Sequence, residues 1–216
     1  MKKPEEIARA KQVMIEIHLK GRGITNPAVL SAMESVPREK FVEKSFMGQA
    51  YDDNPLPIGN GQTISQPYIV ALMTQELDPK KTDRVLEVGT GSGYQAAVLS
   101  KIVDRVYTIE IVKPLAEASS ALLKRLGYDN VTVQGGDGYA GWKEHAPFDK
   151  IIVTAAAGRV PKPLEEQLAE GGLIIMPVGG SHIQDLLLGE KRDGVVSYRT
   201  VAGVRFVPMT GRIQEQ

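Results

Sequence analysis

Three carboxylates stand where short apolar runs end: Glu87 in Val85-Leu86-Glu87-Val88, Glu110 closing Arg105-Val106-Tyr107-Thr108-Ile109-Glu110, and Asp137 in Val131-Thr132-Val133-Gln134-Gly135-Gly136-Asp137-Gly138. Acids at successive strand ends can hold a cationic ligand group, accept the hydroxyls of a ribose and accept the amino group of an adenine. The first leads into Gly89-Thr90-Gly91-Ser92-Gly93, three glycines within five residues. Such a turn takes positive φ and lets the backbone come close to a ligand. Tyr94 to Leu99 reads as the helix that follows, so the stretch predicts strand, ligand turn and helix, the opening of a βαβ nucleotide-type site.

Charge selects among ligands. A dinucleotide fold seats its pyrophosphate over this turn, at the positive end of the helix, and the carboxylate of Glu87 would repel it. A triphosphate-binding loop ends in Gly-Lys-Ser/Thr, and no lysine occurs between Arg84 and Lys101. S-adenosylmethionine has an adenosine without phosphates, an ammonium and a sulfonium, which suit an acid beside a polar loop. Glu110, 17 residues after Gly93, would accept the ribose hydroxyls. A nicotinamide site would use that acid equally, and Gly91-Ser92-Gly93-Tyr94-Gln95-Ala96 fits the loose G-x-G-x-x-A form. Glu87 opposes that reading.

These groups need a scaffold, which the chain supplies in order. Residues 5 to 20 read as a helix, with Pro4 suited to its first turn, Ile7, Ala10, Met14 and Ile17 near helical spacing, and Gly21-Arg22-Gly23 as the stop. Asn26-Pro27 starts a second helix to about Ser35, closed by Pro37; Arg38 to Glu43 is a short turn with Phe41 and Val42 inward. Residues 46–66 are too long and too rich in turn formers for a mere connector, and Tyr51, Leu56 and Ile58 would pin them to the core. Ser65 would cap a helix from Pro67 to about Leu77.

Phe148 to Val153 is a nearly all-apolar strand of the buried parallel kind, and Thr154-Ala155-Ala156-Ala157-Gly158 leaves room for a substrate at its end. Val160-Pro161-Lys162-Pro163 leads into a helix through Ala169, ended by Gly171-Gly172, and Leu173 to Val178 is a fifth strand. Ile183 to Gly189 and Val195 to Val201 flank the turn Lys191-Arg192-Asp193-Gly194 as an antiparallel hairpin. Five βα units and a terminal hairpin predict an α/β fold with the class I methyltransferase sheet, Rossmann-like and parallel but for one antiparallel strand, with an N-terminal helical addition.

At 216 residues a single methyltransferase domain is expected over 1–216: N-terminal helices and substrate loop in 1–78, cofactor-binding core in 79–180, hairpin and substrate-covering segment in 181–216. Lys plus Arg and Asp plus Glu both total 26, so no net field draws nucleic acid or an anionic membrane. The absence of cysteine excludes disulfides, thiol nucleophiles and cysteine-ligated metals. His18 reads as a helix-surface residue, His145 and His182 have no partner at metal spacing, and no metal is expected. The N-terminus lacks the apolar core of a signal peptide, and no apolar run approaches the ~20 residues of a membrane span. The expectation is a cytoplasmic monomer with no membrane and no nucleic-acid partner.

Tyr51-Asp52-Asp53-Asn54-Pro55-Leu56-Pro57-Ile58-Gly59 with Gly61-Gln62-Thr63-Ile64-Ser65-Gln66-Pro67 closely resembles the signature loop of the protein-L-isoaspartate O-methyltransferases. Leu86 to Tyr94, Gly136-Asp137-Gly138, Ala155-Ala156, Pro161 and Met176-Pro177-Val178-Gly179 resemble further blocks of that family, in its order, from about residue 5 to about residue 211. The resemblance implies methyl transfer from S-adenosylmethionine, leaving S-adenosylhomocysteine, to the α-carboxylate of L-isoaspartyl residues in damaged proteins, and repair through a succinimide. It implies that Ser65 is the active-site residue and that Gln62, Thr63 and Ile64 line the meeting place of cofactor and substrate. It further implies that Glu87, Gly89 and Ser92 hold the methionine end, Glu110 the ribose, and Asp137 and Gly138 the adenine. Val207-Pro208-Met209-Thr210 resembles the segment that folds over the substrate, although some members continue beyond the point corresponding to Gln216.

The implied chemistry asks little of the protein, because a carboxylate with a pKa near ~4 is already ionised at neutral pH and needs no general base. Holding it in line with the methyl group can contribute on the order of 7–11 kcal/mol, which makes Ser65 an orienter and not a nucleophile. The main alternative is a class I methyltransferase acting on a small molecule, with every cofactor residue shared. A nucleic-acid substrate lacks the basic, aromatic-interleaved patch it would need. A cofactor-binding scaffold without chemistry is opposed by Ser65 and the three acids.

Overall fold

The computed structural model describes residues 4–180 and 182–215; expectations attached to residues 1–3, 181 and 216 lie outside the described residues. α1 (Pro4–Val13) runs into a π-helical stretch, Met14–Leu19, then a 3₁₀ turn, Lys20–Arg22, which Gly23 ends at φ 90°. A π turn holds more residues than an α turn and so rotates the apolar face. Met14, Ile15 and Leu19 are buried, while Ile17, part of the expected apolar spacing, is 61% exposed. α2 (Pro27–Ser35) begins where the Asn26 side chain accepts hydrogen bonds from the Ala28 and Val29 amides, a cap worth about 1 kcal/mol.

The segment 46–66 is more ordered than a pinned loop. After a 3₁₀ turn, Lys44–Gln49, it forms a small antiparallel hairpin of β1 (Leu56–Pro57) and β2 (Thr63–Ile64), with Leu56 opposite Ile64. α3 (Pro67–Glu76) follows directly, as expected, but Ser65 does not cap it. Its N-cap residue is Gln66, and the Tyr68 amide donates to the carboxylate of Asp53, 3.3 Å away. The cap is thus brought in by tertiary folding rather than by the preceding residues.

The core is a seven-stranded sheet in the order β5-β4-β3-β6-β7-β8-β9. β3 (Arg84–Val88) pairs in parallel with β4 (Arg105–Glu110) on one side and β6 (Phe148–Val153) on the other. β5 (Val131–Gly135) lies outside β4, and β7 (Leu168–Gly179) outside β6, both in parallel. β8 (Gln184–Arg192) runs against β7, and β9 (Val195–Val204) against β8, so β8 alone opposes the common direction. The chain order reverses between β3 and β6, and an open α/β sheet offers its binding crevice at such a reversal, beyond the carboxyl ends of the strands.

α4 (Tyr94–Ser100) and α5 (Lys113–Arg125) make full helical crossovers, but β5 reaches β6 through the 3₁₀ turns Gly138–Ala140 and Lys143–His145, which reduces the expected run of βα units. α6 (Lys162–Gln167) stops two residues short of Ala169, because Leu168 already pairs with Phe148 as the start of β7. Gly171 and Gly172 therefore lie within a strand instead of ending a helix.

Alternation along β3 divides the core. Val85 joins the cluster under α1 to α4, while Leu86 and Val88 join the cluster on the opposite face. Val85, Leu86, Ile151, Ile152 and Val153 are all fully buried, each contributing about 1.5–3 kcal/mol by leaving water. The same alternation turns Glu87 toward the face of Val85, among the helices.

Candidate active site

Two adjoining hollows open at the carboxyl ends of β3, β4 and β6 and share Thr63, Gly89, Gly91 and Thr154. The larger, about 610 Å³ including its mouth, has Gln62 and Thr63 on one side, Glu110 and Gly138 on another, and Val207 to Thr210 across it. The smaller is lined by Ser65, Glu87, Ser92, Tyr94 and Gln95 among others. An elongated ligand would cross from one to the other over Gly89.

Gly89 fits this crossing for a steric reason. It sits at φ 100°, and a Cβ there would lie 2.4 Å from the Thr154 hydroxyl oxygen. That hydroxyl donates to the Gly89 carbonyl at 2.7 Å, so β6 fixes the turn that follows β3. Glu110 fixes it from the other side: its two carboxylate oxygens accept from the Gly91 amide at 2.7 Å and the Val112 amide at 2.9 Å. Each oxygen keeps a further lone pair, so Glu110 can still accept a hydroxyl. The hydroxyls of Thr90 and Thr108 meet at 2.6 Å between the two acids.

Glu87 is the electrostatic centre. It is completely buried, and neither carboxylate oxygen has a partner in hydrogen-bonding geometry among the described residues. Burial pushes its pKa up to about 8; the nearby Thr108 hydroxyl pulls against that shift, and the charge of Glu110 adds to it. A buried acid without a partner is costly unless a cation completes it. The ammonium of S-adenosylmethionine fits that requirement, and a phosphate does not.

The structure thus brings together Gln62, Thr63, Ile64, Ser65, Glu87, Gly89, Ser92, Glu110, Gly138, Val207 and Pro208 around the two hollows. Ser92 also accepts from the Tyr94 amide at the start of α4, at 3.3 Å. Asp137 stands apart from that lining. Its carboxylate accepts from the Tyr139 amide and the Arg212 amide, both at 2.9 Å, tying the turn after β5 to the C-terminal segment. Among the described residues no three His, Cys, Asp or Glu side chains gather as a metal set.

Several supporting residues carry no local sequence signal. Arg38, in what reads as a polar turn, is fully buried; its Nε donates to the Ala50 carbonyl at 2.7 Å and its Nη2 to the Ser65 carbonyl at 2.8 Å, while its guanidinium lies 4.7 Å over the Tyr94 ring. Asp53 accepts from Arg22 at 2.6 Å and from the Gln66 amide group at 2.7 Å, locking the loop to the N-terminal helices. Gln184 accepts from the Phe206 amide at 2.8 Å, and the Ala156 amide donates to the Val207 carbonyl at 2.9 Å, so the covering segment is held as a short ribbon beside β6. Only the folded chain brings these partners within reach.

The family model for protein-L-isoaspartate(D-aspartate) O-methyltransferase matches residues 9–214. A protein-L-isoaspartate O-methyltransferase 2 of Pelobacter propionicus is 54% identical over 203 residues, 93% of this chain and 90% of that protein. A protein-L-isoaspartate O-methyltransferase of Opitutus terrae is 56% identical over 201 residues, 93% of this chain and 86% of that one. Among solved structures, a protein-L-isoaspartate O-methyltransferase superposes with TM-score 0.86 at 32% identity, covering 94% of this chain and 67% of that one. A putative Plasmodium falciparum enzyme of the same name, in complex with S-adenosyl-L-homocysteine, superposes with TM-score 0.79 at 30% identity, covering 91% and 96%.

Proposed function

This chain belongs to the protein-L-isoaspartate(D-aspartate) O-methyltransferase family, and we propose that its hairpin loop, its glycine turn and its Val207–Thr210 ribbon together set an isoaspartyl carboxylate against the cofactor. It is an S-adenosylmethionine-dependent methyltransferase whose substrates are proteins carrying L-isoaspartyl residues. The cofactor supplies an electrophilic methyl group on sulfur.

The buried, partnerless Glu87 carboxylate is the observation that carries the assignment of the cofactor's ends. In this reading Glu87 and Ser92, with the Gly89 backbone, hold the methionine end in the smaller hollow. Glu110 accepts ribose hydroxyls, and Gly138, which lines the larger hollow and packs against Val88 where a Cβ would meet that side chain at 2.4 Å, borders the adenine. Asp137 lies next to Gly138 and accepts from adenine while anchoring the C-terminal segment. Gln62, Thr63 and Ile64 separate cofactor from substrate.

Ser65 is half-buried at the junction, and its hydroxyl has no hydrogen-bond partner among the described residues, so it is free to donate to the substrate carboxylate. Arg38 donates to the Ser65 carbonyl and so holds the backbone that carries that hydroxyl. Val207 and Pro208 close over the substrate, beside the small side chains of Ala155 and Ala156. No proton has to be removed, because the attacking carboxylate is ionised at neutral pH. Catalysis is then positioning and exclusion of water. We infer further that the protein works as a monomer in the cytoplasm; no helix among the described residues is long and apolar enough to cross a membrane.

The deciding assay supplies methyl-labelled S-adenosylmethionine and two peptides differing only in an aspartyl or L-isoaspartyl residue. Base-labile methyl ester is expected on the isoaspartyl peptide alone. A protein that binds cofactor yet labels neither peptide overturns the reading.

A further inference from the structure

Asn60 and Gly61 form the tip of the β1–β2 hairpin, and this pair has a chemistry of its own. In an Asn-Gly sequence the glycine amide nitrogen can attack the side-chain carbonyl carbon of the asparagine. The new C–N bond closes a five-membered succinimide, and the displaced NH₂ leaves with the attacking nitrogen's proton as ammonia. Water then opens the ring at one of two carbonyls. One opening gives aspartate; the other routes the backbone through the side-chain carbon and leaves the α-carboxylate free, which is L-isoaspartate. Water is the only co-reactant.

The chain has four asparagines, and three are protected. Asn26 and Asn54 precede prolines, which have no N–H to give, and both side chains are hydrogen-bonded. Asn130 precedes β-branched Val131, and its amide group is shared among the carbonyls of Ser100, Val103 and Asp104. Asn60 is exposed, its side chain and the Gly61 amide have no hydrogen-bond partner among the described residues, and glycine offers no side chain to obstruct attack. The two aspartyl-glycine pairs are restrained by comparison: Asp137 is held by two amides, and the Gly194 amide donates to Glu170 at 3.2 Å.

The place matters as much as the pair. The Gln62 amide donates to the Gly59 carbonyl at 2.9 Å and the Ile58 amide to the Gln62 carbonyl at 3.0 Å, closing the turn around residues 60 and 61. Gln62 and Thr63, next in sequence, line the cleft. Rearrangement inserts one extra backbone atom and a free carboxylate into this turn, which displaces both. We propose that Asn60 is the chain's own site of isoaspartate formation, that the lesion impairs the cleft it borders, and that a second copy of this chain methylates it. Repair must come from another copy, because the hairpin is part of the wall of its own cleft. The proposal rests on the isoaspartyl methyltransferase reading above.

The test compares the intact protein with Asn60→Gly, which suits the φ of 52° at this site and removes the reactive amide. Both are stored at 37 °C and mildly alkaline pH, assayed over time, then mixed with fresh protein and methyl-labelled S-adenosylmethionine and digested with trypsin. The intact protein should gain the mass of an NH₂-to-OH exchange in the 45–80 peptide, accept label there in proportion to storage, and recover activity after treatment. Asn60→Gly should show neither change and hold its activity about threefold longer or more. Equal rates of decay in the two proteins, or an altered 45–80 peptide that fresh protein leaves unlabelled, overturn the proposal. A synthetic isoaspartyl peptide in the same tubes separates the causes: label on it alone sinks only the self-repair idea, and no label on it sinks the family activity as well.

Discussion

The floor of the cleft and its wall are built by different means. The floor is backbone: the glycine turn after β3 is held by the Thr154 hydroxyl on one side and the Glu110 carboxylate on the other, all at the carboxyl ends of adjacent strands. The wall is hung from single distant side chains. Arg38 holds Ser65, Asp53 holds Gln66 and the start of α3, and Gln184 holds Phe206. A floor made from neighbouring strands is rigid and tolerates no added atom, whereas a wall tied by single hydrogen bonds is cheaper to shift. Changes to the floor should therefore appear in cofactor binding, and changes to the wall in turnover.

Gly89→Ala strikes the floor hardest. It forces a Cβ against Thr154 at a φ that side chains rarely adopt. A strain of about 2–3 kcal/mol in stability and a loss of S-adenosylhomocysteine affinity of about a hundredfold or more are expected, read by thermal unfolding and calorimetry. Retained affinity would mean that the turn is not the floor.

Glu87 adds a pH dependence. Its pKa is about 8 in the folded protein against 4.5 ordinarily, so the folded state binds the extra proton between those values. Stability conferred on the protonated form therefore falls as pH rises from about 4.5 and levels off above about 8. Cofactor affinity runs the other way, because the ammonium needs the ionised acid: it should tighten by up to about tenfold per unit as pH approaches 8, with a proton released on binding. Glu87→Gln should remove the slope and weaken binding, while a slope that survives the substitution would assign it elsewhere.

Ser65→Ala tests the wall alone. A fall in turnover of about tenfold or more with cofactor affinity within about twofold is expected, and an unchanged turnover would strip Ser65 of its orienting role.

The floor was legible in the sequence because its signals are local. Val85 to Gly93 and Arg105 to Glu110 carry strand, acid and turn in consecutive residues, and the structure sets both where the pattern predicts. The wall was legible only through the family's loop motif. Ser65 looked like a helix cap because Pro67 follows it, yet the cap comes from Asp53, a relation that no spacing rule encodes. Arg38 and Gln184 were invisible for the same reason, as their partners lie 27 and 22 residues away. Asp137 has a structural role that its Gly-flanked strand-end position does not announce: its carboxylate accepts from the amides of its own turn and of Arg212. The π stretch in the first helix, which turned Ile17 outward, followed from packing that hydrophobic spacing does not record.

The ribbon beside β6 has a consequence in time. Ala156 is joined to the ribbon through two backbone hydrogen bonds, its amide donating to the Val207 carbonyl and the Met209 amide donating to the Ala156 carbonyl. Every residue that lines the floor precedes Ala156, and the ribbon is synthesised after them. On a ribosome the floor emerges before the roof, with β7, β8 and β9 translated between them. A nascent chain paused before residue 205 would present an open floor to cofactor with nothing yet to close over a substrate.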